Sequence, residues 1–109
     1  MSGDFRRLSV QEIQQKRAAG WKPYVVDVRG APEAGIVKFP WADTLIPHTD
    51  VAGRLAEIPK DREILVHCKM GGRSAQAAAV LAAAGYDVVN MEGGITAWAR
   101  EIDPTMPTY

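Results

Sequence analysis

Short strand-like runs and helical patterns alternate along the whole chain, and this alternation constrains the fold more than any other feature. The strand-like runs are FRRLS (5–9), PYVVDV (23–28), TLIP (44–47), REILVHC (62–68) and YDVVNM (86–91). The helical patterns are SVQEIQQKRAAG (9–20), TDVAGRLAEI (49–58), SAQAAAVLAAAG (74–85) and GGITAWAREI (93–102). Such alternation is typical of α/β domains with a mainly parallel sheet. We therefore expect a central five-stranded sheet flanked by helices on both faces.

Local signals support several of these boundaries. Ser9 and Glu12 have the spacing of a capping box, and Gly20 and Gly85 follow helical patterns as stop signals. The segment 29–44 is rich in Gly and Pro and is predicted to be irregular. Residues from about 102 to 109 form a Pro-broken tail.

Size and composition limit the possible functions. The 109 residues suffice for one domain, so we expect a single domain over 1–109. Thirteen basic and thirteen acidic residues give no net charge, so no global field favours nucleic acid or an anionic membrane. No apolar run approaches membrane-spanning length, and the amino-terminal residues lack the apolar stretch of a signal peptide. A single cysteine excludes an internal disulfide and a cysteine-based metal cage, which predicts a cytoplasmic protein without a metal.

The only cysteine, Cys68, ends a predicted strand, and a helix is expected to begin a few residues later. Ligand sites in parallel α/β sheets lie beyond the carboxyl ends of the strands. Gly71 and Gly72 allow the backbone to curl so that its N–H groups converge, and the helix start, Arg73 and Lys69 add positive charge. This setting favours a thiolate nucleophile that carries sulfur as a persulfide. The alternative is a small buried apolar residue.

Other residues near Cys68 have simpler interpretations. His67 precedes the cysteine, but adjacent strand residues point to opposite faces, so we assign it a packing or hydrogen-bonding role rather than that of a catalytic base. Ser74 is predicted to cap the following helix while also lining the site. Met70 is either an apolar rim of the site or a plain surface residue, and Trp98 is predicted to be core.

Three residues at neighbouring strand ends are candidate supporting groups. Asp27 and Arg29 follow the PYVVDV strand and are expected to form an ion-pair network beneath the loops. Glu92 follows the last strand and could line the site. Arg73 is expected to shape the loop through hydrogen bonds to nearby carboxylates or carbonyls.

Three motifs together resemble the rhodanese family of sulfurtransferases: DVR (27–29), HCKMGGRS (67–74) and MEGGITAW (91–98). The resemblance covers essentially the whole chain. It implies that the loop from Cys68 to Arg73 holds a persulfide, with Cys68 and Arg73 catalytic and Lys69, Met70, Gly71, Gly72 and Ser74 binding the substrate. It also implies a reaction without metal or organic cofactor, in which thiosulfate or a cysteine-desulfurase persulfide donates sulfur and a nucleophilic acceptor removes it.

The closing stretch EGGITAWAREIDPTMPTY (92–109) resembles the carboxyl-terminal rhodanese domain of bacterial sulfur-carrier adenylyltransferase–sulfurtransferases of the MoeZ/MoeB type. That resemblance implies a ubiquitin-like sulfur-carrier protein ending in Gly-Gly as acceptor, its adenylylated terminus receiving sulfur as a thiocarboxylate. No adenylylating motif occurs in this sequence. We therefore expect either a domain of a larger chain or a free-standing relative that works beside a separate adenylylating enzyme.

Two alternative functions stay open. Cysteine-dependent phosphatases of the same fold resemble this site but have five residues between Cys and Arg, whereas four separate Cys68 from Arg73. A non-catalytic rhodanese docking module is the second alternative, although the retained cysteine argues against it. The sequence departs from the family at Ala34, Lys38, Phe39 and Trp41, and we expect these differences to affect surfaces and partner fit rather than chemistry.

Overall fold

Five parallel strands form the central sheet in the computed structural model, which describes residues 4–109. The strands are β1 (Arg6–Leu8), β2 (Tyr24–Asp27), β3 (Thr44–Leu45), β4 (Ile64–His67) and β5 (Val88–Met91). Their order across the sheet is β1-β5-β4-β2-β3, and every neighbouring pair is parallel. The predicted five-stranded parallel sheet is confirmed.

Residues 4–109 contain four α-helices. They are α1 (Val10–Ala18), α2 (Ala31–Ile36), α3 (Gly72–Ala83) and α4 (Gly94–Glu101). Alternate strand residues enter two separate cores: Val26 and Val66 pack with α3, whereas Val25 and Leu65 pack with α1 and α4. Helices therefore cover both faces, as predicted. Among residues 4–109, no helix has the length and apolar character needed to cross a membrane.

The predicted start of α1 and the predicted ends of α1 and α3 agree with the structure. The Ser9 hydroxyl accepts from the Glu12 N–H at 3.1 Å, and the Glu12 carboxylate accepts from the Ser9 N–H at 2.9 Å. This reciprocal capping box fixes where α1 begins. The two helices end at Ala18 and Ala83, two residues before Gly20 and Gly85.

Two segments differ from the prediction. The stretch 29–44 contains the short helix α2, which has Pro32 in its first turn, where a missing N–H costs no hydrogen bond. The stretch 49–58 is not an α-helix but two 3-10 helices, His48–Gly53 and Leu55–Glu57. Arg54 joins the two turns: its N–H donates to the Val51 carbonyl and its carbonyl accepts from the Glu57 N–H, each at 3.0 Å, with the three-residue spacing of 3-10 helices.

An aromatic cluster fills the core beneath α4. Phe39 is only 1% exposed, stacks on Trp41 with ring centroids 4.1 Å apart, and meets the edge of Trp98 at 5.4 Å. The prediction that Trp98 belongs to the core is confirmed. The expectation that the unusual residues at 38–41 concern only surfaces is wrong for Phe39, because its ring is buried among apolar side chains.

Candidate active site

The carboxyl ends of β2, β4 and β5 bring the predicted site residues to one edge of the sheet. Cys68 follows β4 directly, and Arg29 and Glu92 follow the strands on either side. Residues 68–73, the cysteine loop, connect β4 to α3 at this edge. This is the position at which parallel α/β sheets bind ligands.

Backbone N–H groups point at the sulfur of Cys68. The Gly71 N–H donates to Sγ at 3.0 Å, and the Ser74 N–H donates at 3.4 Å. The thiol donates to the Ser74 hydroxyl at 3.3 Å, and that hydroxyl donates to the Gly71 carbonyl at 3.2 Å. Two peptide donors and the start of α3 therefore surround a residue that is only 1% exposed.

Ser74 does not cap α3, so that part of its prediction is wrong. The helix begins two residues earlier, at Gly72, and its N-cap is Gly71, whose φ of +106° only glycine adopts at low cost. A Cβ at Gly71 would also lie 3.2 Å from the Gly93 nitrogen. Ser74 consequently occupies the first turn and is fully buried beside the sulfur.

The carbonyl groups at the start of the cysteine loop are bound by α4. The Ile95 N–H donates to the Cys68 carbonyl and the Thr96 N–H donates to the Lys69 carbonyl, each at 3.0 Å. Gly94 makes this contact possible: a Cβ there would lie 2.4 Å from the Lys69 oxygen. Helix α4 thus engages the acceptors at the start of the loop.

Further loop N–H groups, among them those of Met70, Gly72 and Arg73, have no acceptor within residues 4–109. Unpaired N–H groups at a helix start, together with its dipole, attract an anion. The cysteine loop is therefore rich in free donors, whereas its first two carbonyls are engaged.

Arg73 is held by Glu33 of α2, a partner 40 residues away. Its two terminal nitrogens donate to the two carboxylate oxygens at 2.7 and 2.8 Å. The hydrogen bonds from Arg73 hold the pKa of Glu33 well below its usual range, and the same bonds raise the pKa of Arg73. The charge of Arg73 is therefore balanced, and its bidentate pairing ties the end of the cysteine loop to α2.

Asp27 and Arg29 form an ion pair beneath the loops. The guanidinium donates to both Asp27 oxygens, with closest distances of 2.7 and 2.9 Å, and both residues are buried. It also donates to the Val37 carbonyl at 2.8 Å. Burial is the largest influence on the pKa of Arg29 and acts to lower it, but the hydrogen bonds and charges of Asp27 and Tyr109 together raise that pKa. This geometry is the one expected of a network that supports the loops.

His67 lies on the opposite side of the sheet from Cys68. Its ring is fully buried and meets the edge of Phe39 at 4.7 Å, while Cys68 packs in the other core. Neither ring nitrogen has a hydrogen-bond partner in the part of the chain that the structure describes. Burial lowers the pKa of His67 to about 4. Its packing role is as predicted, and the ring stays neutral at physiological pH.

Of the remaining predicted residues, Lys69 and Met70 lie in the cysteine loop and Glu92 lies beside it. The Lys69 ammonium lies 4.5 Å from the ring centroid of Tyr109, and Met70 is 67% exposed. Glu92 accepts hydrogen bonds from Asn90 at 2.5 Å and from Arg7 at 3.4 Å. Glu92 thus contacts its own strand and β1, and makes no hydrogen bond to Cys68.

Glu33 and Tyr109 are the two site residues that sequence reasoning did not assign. Glu33 lies in the first turn of α2, and its carboxylate also accepts from the Gly30 N–H at 3.1 Å. The Tyr109 hydroxyl donates to Glu33 at 2.8 Å. The acidic residue after Pro32 was a usable signal, whereas Tyr109 lies in a tail with no periodic pattern.

Two cavities of the structure lie away from the sulfur of Cys68. Cavities of about 280 and 180 Å³ lie beside β3 and beside β1, and Cys68 lines neither of them. Cys68 is only 1% exposed, so its sulfur presents little surface to an incoming group.

A buried cysteine with converging peptide donors lies at the end of a parallel strand, with four residues between it and a paired arginine, and these features define an α/β domain with a candidate cysteine-based anion site. The family model described as rhodanese-like domain matches residues 9–101, and the chain belongs to this family.

Relatives and solved structures agree with this assignment. The chain is 38% identical over 105 residues to the probable adenylyltransferase/sulfurtransferase MoeZ of Mycobacterium tuberculosis, covering 94% of this chain but only 26% of that protein. It is 40% identical over 91 residues to a sulfurtransferase of Allochromatium vinosum, covering 83% of this chain and 84% of the relative. The structure of a rhodanese-like domain protein from Staphylococcus aureus superimposes with a TM-score of 0.80 at 30% identity, covering 96% and 99% of the two chains. Family and relatives support sulfurtransferase activity.

Proposed function

We propose that this chain carries sulfane sulfur as a persulfide on Cys68. One observation carries the proposal: the Gly71 and Ser74 N–H groups donate to Sγ inside a loop with four residues between Cys and Arg. Donors aimed at the sulfur stabilise a thiolate before the reaction and a terminal persulfide anion after it. The unpaired N–H groups of Met70, Gly72 and Arg73 are the donors proposed for the outer sulfur.

The loading step uses thiosulfate or a desulfurase persulfide. The Cys68 thiolate attacks the outer sulfur of thiosulfate, a new S–S bond forms, and the original S–S bond breaks. Its electron pair leaves with sulfite. Lys69 favours the approach of the dianion, and Arg73 holds the loop in shape through Glu33. Gly71, Gly72 and Ser74 provide the turn and its contacts, while Asp27 and Arg29 support the loop from beneath.

The unloading step depends on the acceptor. Cyanide attacks the outer sulfur, thiocyanate leaves, and the Cys68 thiolate is restored, which gives ping-pong kinetics. An adenylylated carrier terminus is instead an electrophile: the outer sulfur attacks its acyl carbon and AMP leaves. A thiol reductant must then cleave the remaining S–S bond to release the thiocarboxylate.

A ubiquitin-like sulfur carrier ending in Gly-Gly is the proposed physiological acceptor, supported by the MoeZ relative, whose name joins adenylyltransferase to sulfurtransferase. The present sequence spans about a quarter of that relative, so an adenylylating partner, either covalent or separate, belongs to the same proposal. We also propose a cytoplasmic location and a reaction without metal or organic cofactor.

Intact-protein mass spectrometry tests the proposal. Incubation with thiosulfate, or with a persulfide donor, should add the mass of one sulfur atom, and cyanide should remove it. The Cys68→Ala variant is the control and should gain nothing.

Failure of both donors to modify the wild-type protein would refute persulfide chemistry. Hydrolysis of an aryl phosphate that requires Cys68 would instead favour the phosphatase alternative. If Cys68→Ala supported carrier sulfuration as well as the wild type, the domain would be a docking module.

A further inference from the structure

The tail, residues 102–109, folds back from α4 onto the site. The Ile102 and Asp103 N–H groups both donate to the Trp98 carbonyl, at 2.8 and 3.0 Å, and the Met106 N–H donates to the Asp103 carbonyl at 3.1 Å. Ile102, Met106 and Tyr109 pack on the core that contains α1 and α4. These contacts bring Tyr109 beside the cysteine loop.

The hydroxyl of Tyr109 joins two ion pairs. It accepts from Arg29 at 3.1 Å and donates to Glu33 at 2.8 Å, on the same carboxylate oxygen that accepts from Arg73. Burial raises the pKa of Tyr109, so the hydroxyl keeps the proton that it donates. Tyr109 therefore links the supporting pair Asp27–Arg29 to the pair that holds the cysteine loop.

The ring of Tyr109 contacts the cysteine loop directly, at Lys69. The Lys69 ammonium lies 4.5 Å from the ring centroid, within the range of a cation–π interaction. Lys69 directly follows the proposed nucleophile, so the ring restricts the one unpaired cation of the cysteine loop in the described structure. The hydroxyl thus acts on Arg73 through Glu33, and the ring acts directly on Lys69.

We propose that Tyr109 is a positioning residue of the sulfur site, which orients Arg73 through Glu33 and fixes Lys69 for an anionic donor. This inference rests on the proposed function. The tail thereby contributes to donor selection. Before thiosulfate binds, the Tyr109 hydroxyl fixes Arg73 through Glu33, and the Tyr109 ring fixes Lys69. Because both cationic side chains are already held in place, no further entropy is lost in ordering them during the reaction.

Single-turnover loading of Cys68 by thiosulfate, followed by mass spectrometry, separates the two contributions. Tyr109→Phe keeps the ring and removes the hydroxyl, so the maximal loading rate should fall about fivefold with little change in the half-saturating thiosulfate concentration. Tyr109→Leu removes both groups and should also raise the half-saturating concentration about threefold. Tyr24→Phe, on β2 at the opposite end of the sheet, is the matched control and should load like the wild type.

A double-mutant cycle identifies the group through which the ring acts. In a Lys69→Gln background, Tyr109→Leu should no longer raise the half-saturating concentration, because the ring has no ammonium to hold. Thermal unfolding of each variant measures how much protein is folded.

Two outcomes would overturn the proposal. Wild-type loading kinetics in both Tyr109 variants would show that the residue only packs the tail. A reduced amplitude of loading at unchanged rate and half-saturation would show a purely structural role. Absence of a persulfide on the wild-type protein is a separate result, because it refutes the proposed function itself.

Discussion

Replacing His67 by leucine should remove most of the acid sensitivity of folding between pH 6.5 and 4.5. The imidazole is fully buried against Phe39, and the groups facing it are Asp27, whose Oδ2 lies 4.0 Å from Nε2, and Arg29. Burial lowers the pKa of His67, Asp27 acts to raise it, and Arg29 lowers it further, to a net value of about 4. Because Asp27 is already paired with Arg29, it compensates only part of the cost of a buried imidazolium.

The size of the effect follows from linkage between protonation and folding. The folded pKa lies below the ordinary value of 6.5, so unfolding takes up a proton between pH 6.5 and 4. Stability is therefore fully present above pH 6.5 and is lost as the pH falls through this window. The difference between the unfolded and folded pKa of His67 corresponds to about 3 kcal/mol of unfolding free energy. About 1 kcal/mol of this is lost when the pH falls from 7.5 to 5.5. Glu33, whose pKa is also lowered, adds to the loss only below its ordinary value of 4.5.

Urea unfolding at several pH values, with the wild type and His67→Leu, measures this contribution. Leucine has a similar volume and no titrating group, so the variant should lose about 1 kcal/mol less than the wild type between pH 7.5 and 5.5. His48→Gln is the matched control and should retain the wild-type pH dependence. An unchanged pH dependence in His67→Leu, or an NMR titration of His67 near pH 6.5, would refute the reasoning.

Three further variants test the packing and charges around the site. Gly94→Ala should destabilise the protein by at least about 2 kcal/mol in urea unfolding, because φ is +62° and the added Cβ would meet the Lys69 carbonyl, whereas Gly53→Ala, with open space around it, should change little. Asp27→Asn should cost about 3–5 kcal/mol by the same assay, because the buried Arg29 loses its counter-ion; a loss no larger than that of the exposed Glu57→Gln would contradict the buried-pair argument. Phe39→Ala should lower stability by about 3–5 kcal/mol through the cavity that it leaves, and a thermal shift typical of a surface substitution would show that the ring is not core.

Sequence patterns determined the sheet and the cysteine loop because both depend on local signals. Period-two alternation in the strands, the capping box at Ser9 and Glu12, and the glycines around Cys68 act within a few residues of one another. Local signals gave wrong predictions for the start of α3 and for the segment 49–58, where the backbone conformation determined the type and start of the helix. Ser74 has the chemistry of an N-cap, but the left-handed Gly71 begins α3 earlier, and the segment 49–58 forms 3-10 turns with three-residue hydrogen bonds in place of an α-helix.

The sequence does not indicate which side chains distant in the chain form hydrogen bonds with one another. The carboxylate that pairs with Arg73 comes from Glu33, 40 residues earlier, and the hydroxyl of Tyr109 bonds that carboxylate across 76 residues. Side-chain pairs of this kind have no periodic signature, since they depend on how α2 and the tail dock against the finished sheet. Sequence reasoning could expect that Arg73 needs a carboxylate, but not which one.

The attachment of the cysteine loop to α4 has a consequence for how such sites can diverge. Because the Cys68 and Lys69 carbonyls accept hydrogen bonds from Ile95 and Thr96, the first part of the loop cannot lengthen without moving a helix. Residues 70–72 lack this attachment, and Met70 is largely exposed. Insertions in related chains should therefore occur at 70–72. A single added residue there would change the spacing between Cys68 and Arg73 from four intervening residues to the five of the phosphatase alternative.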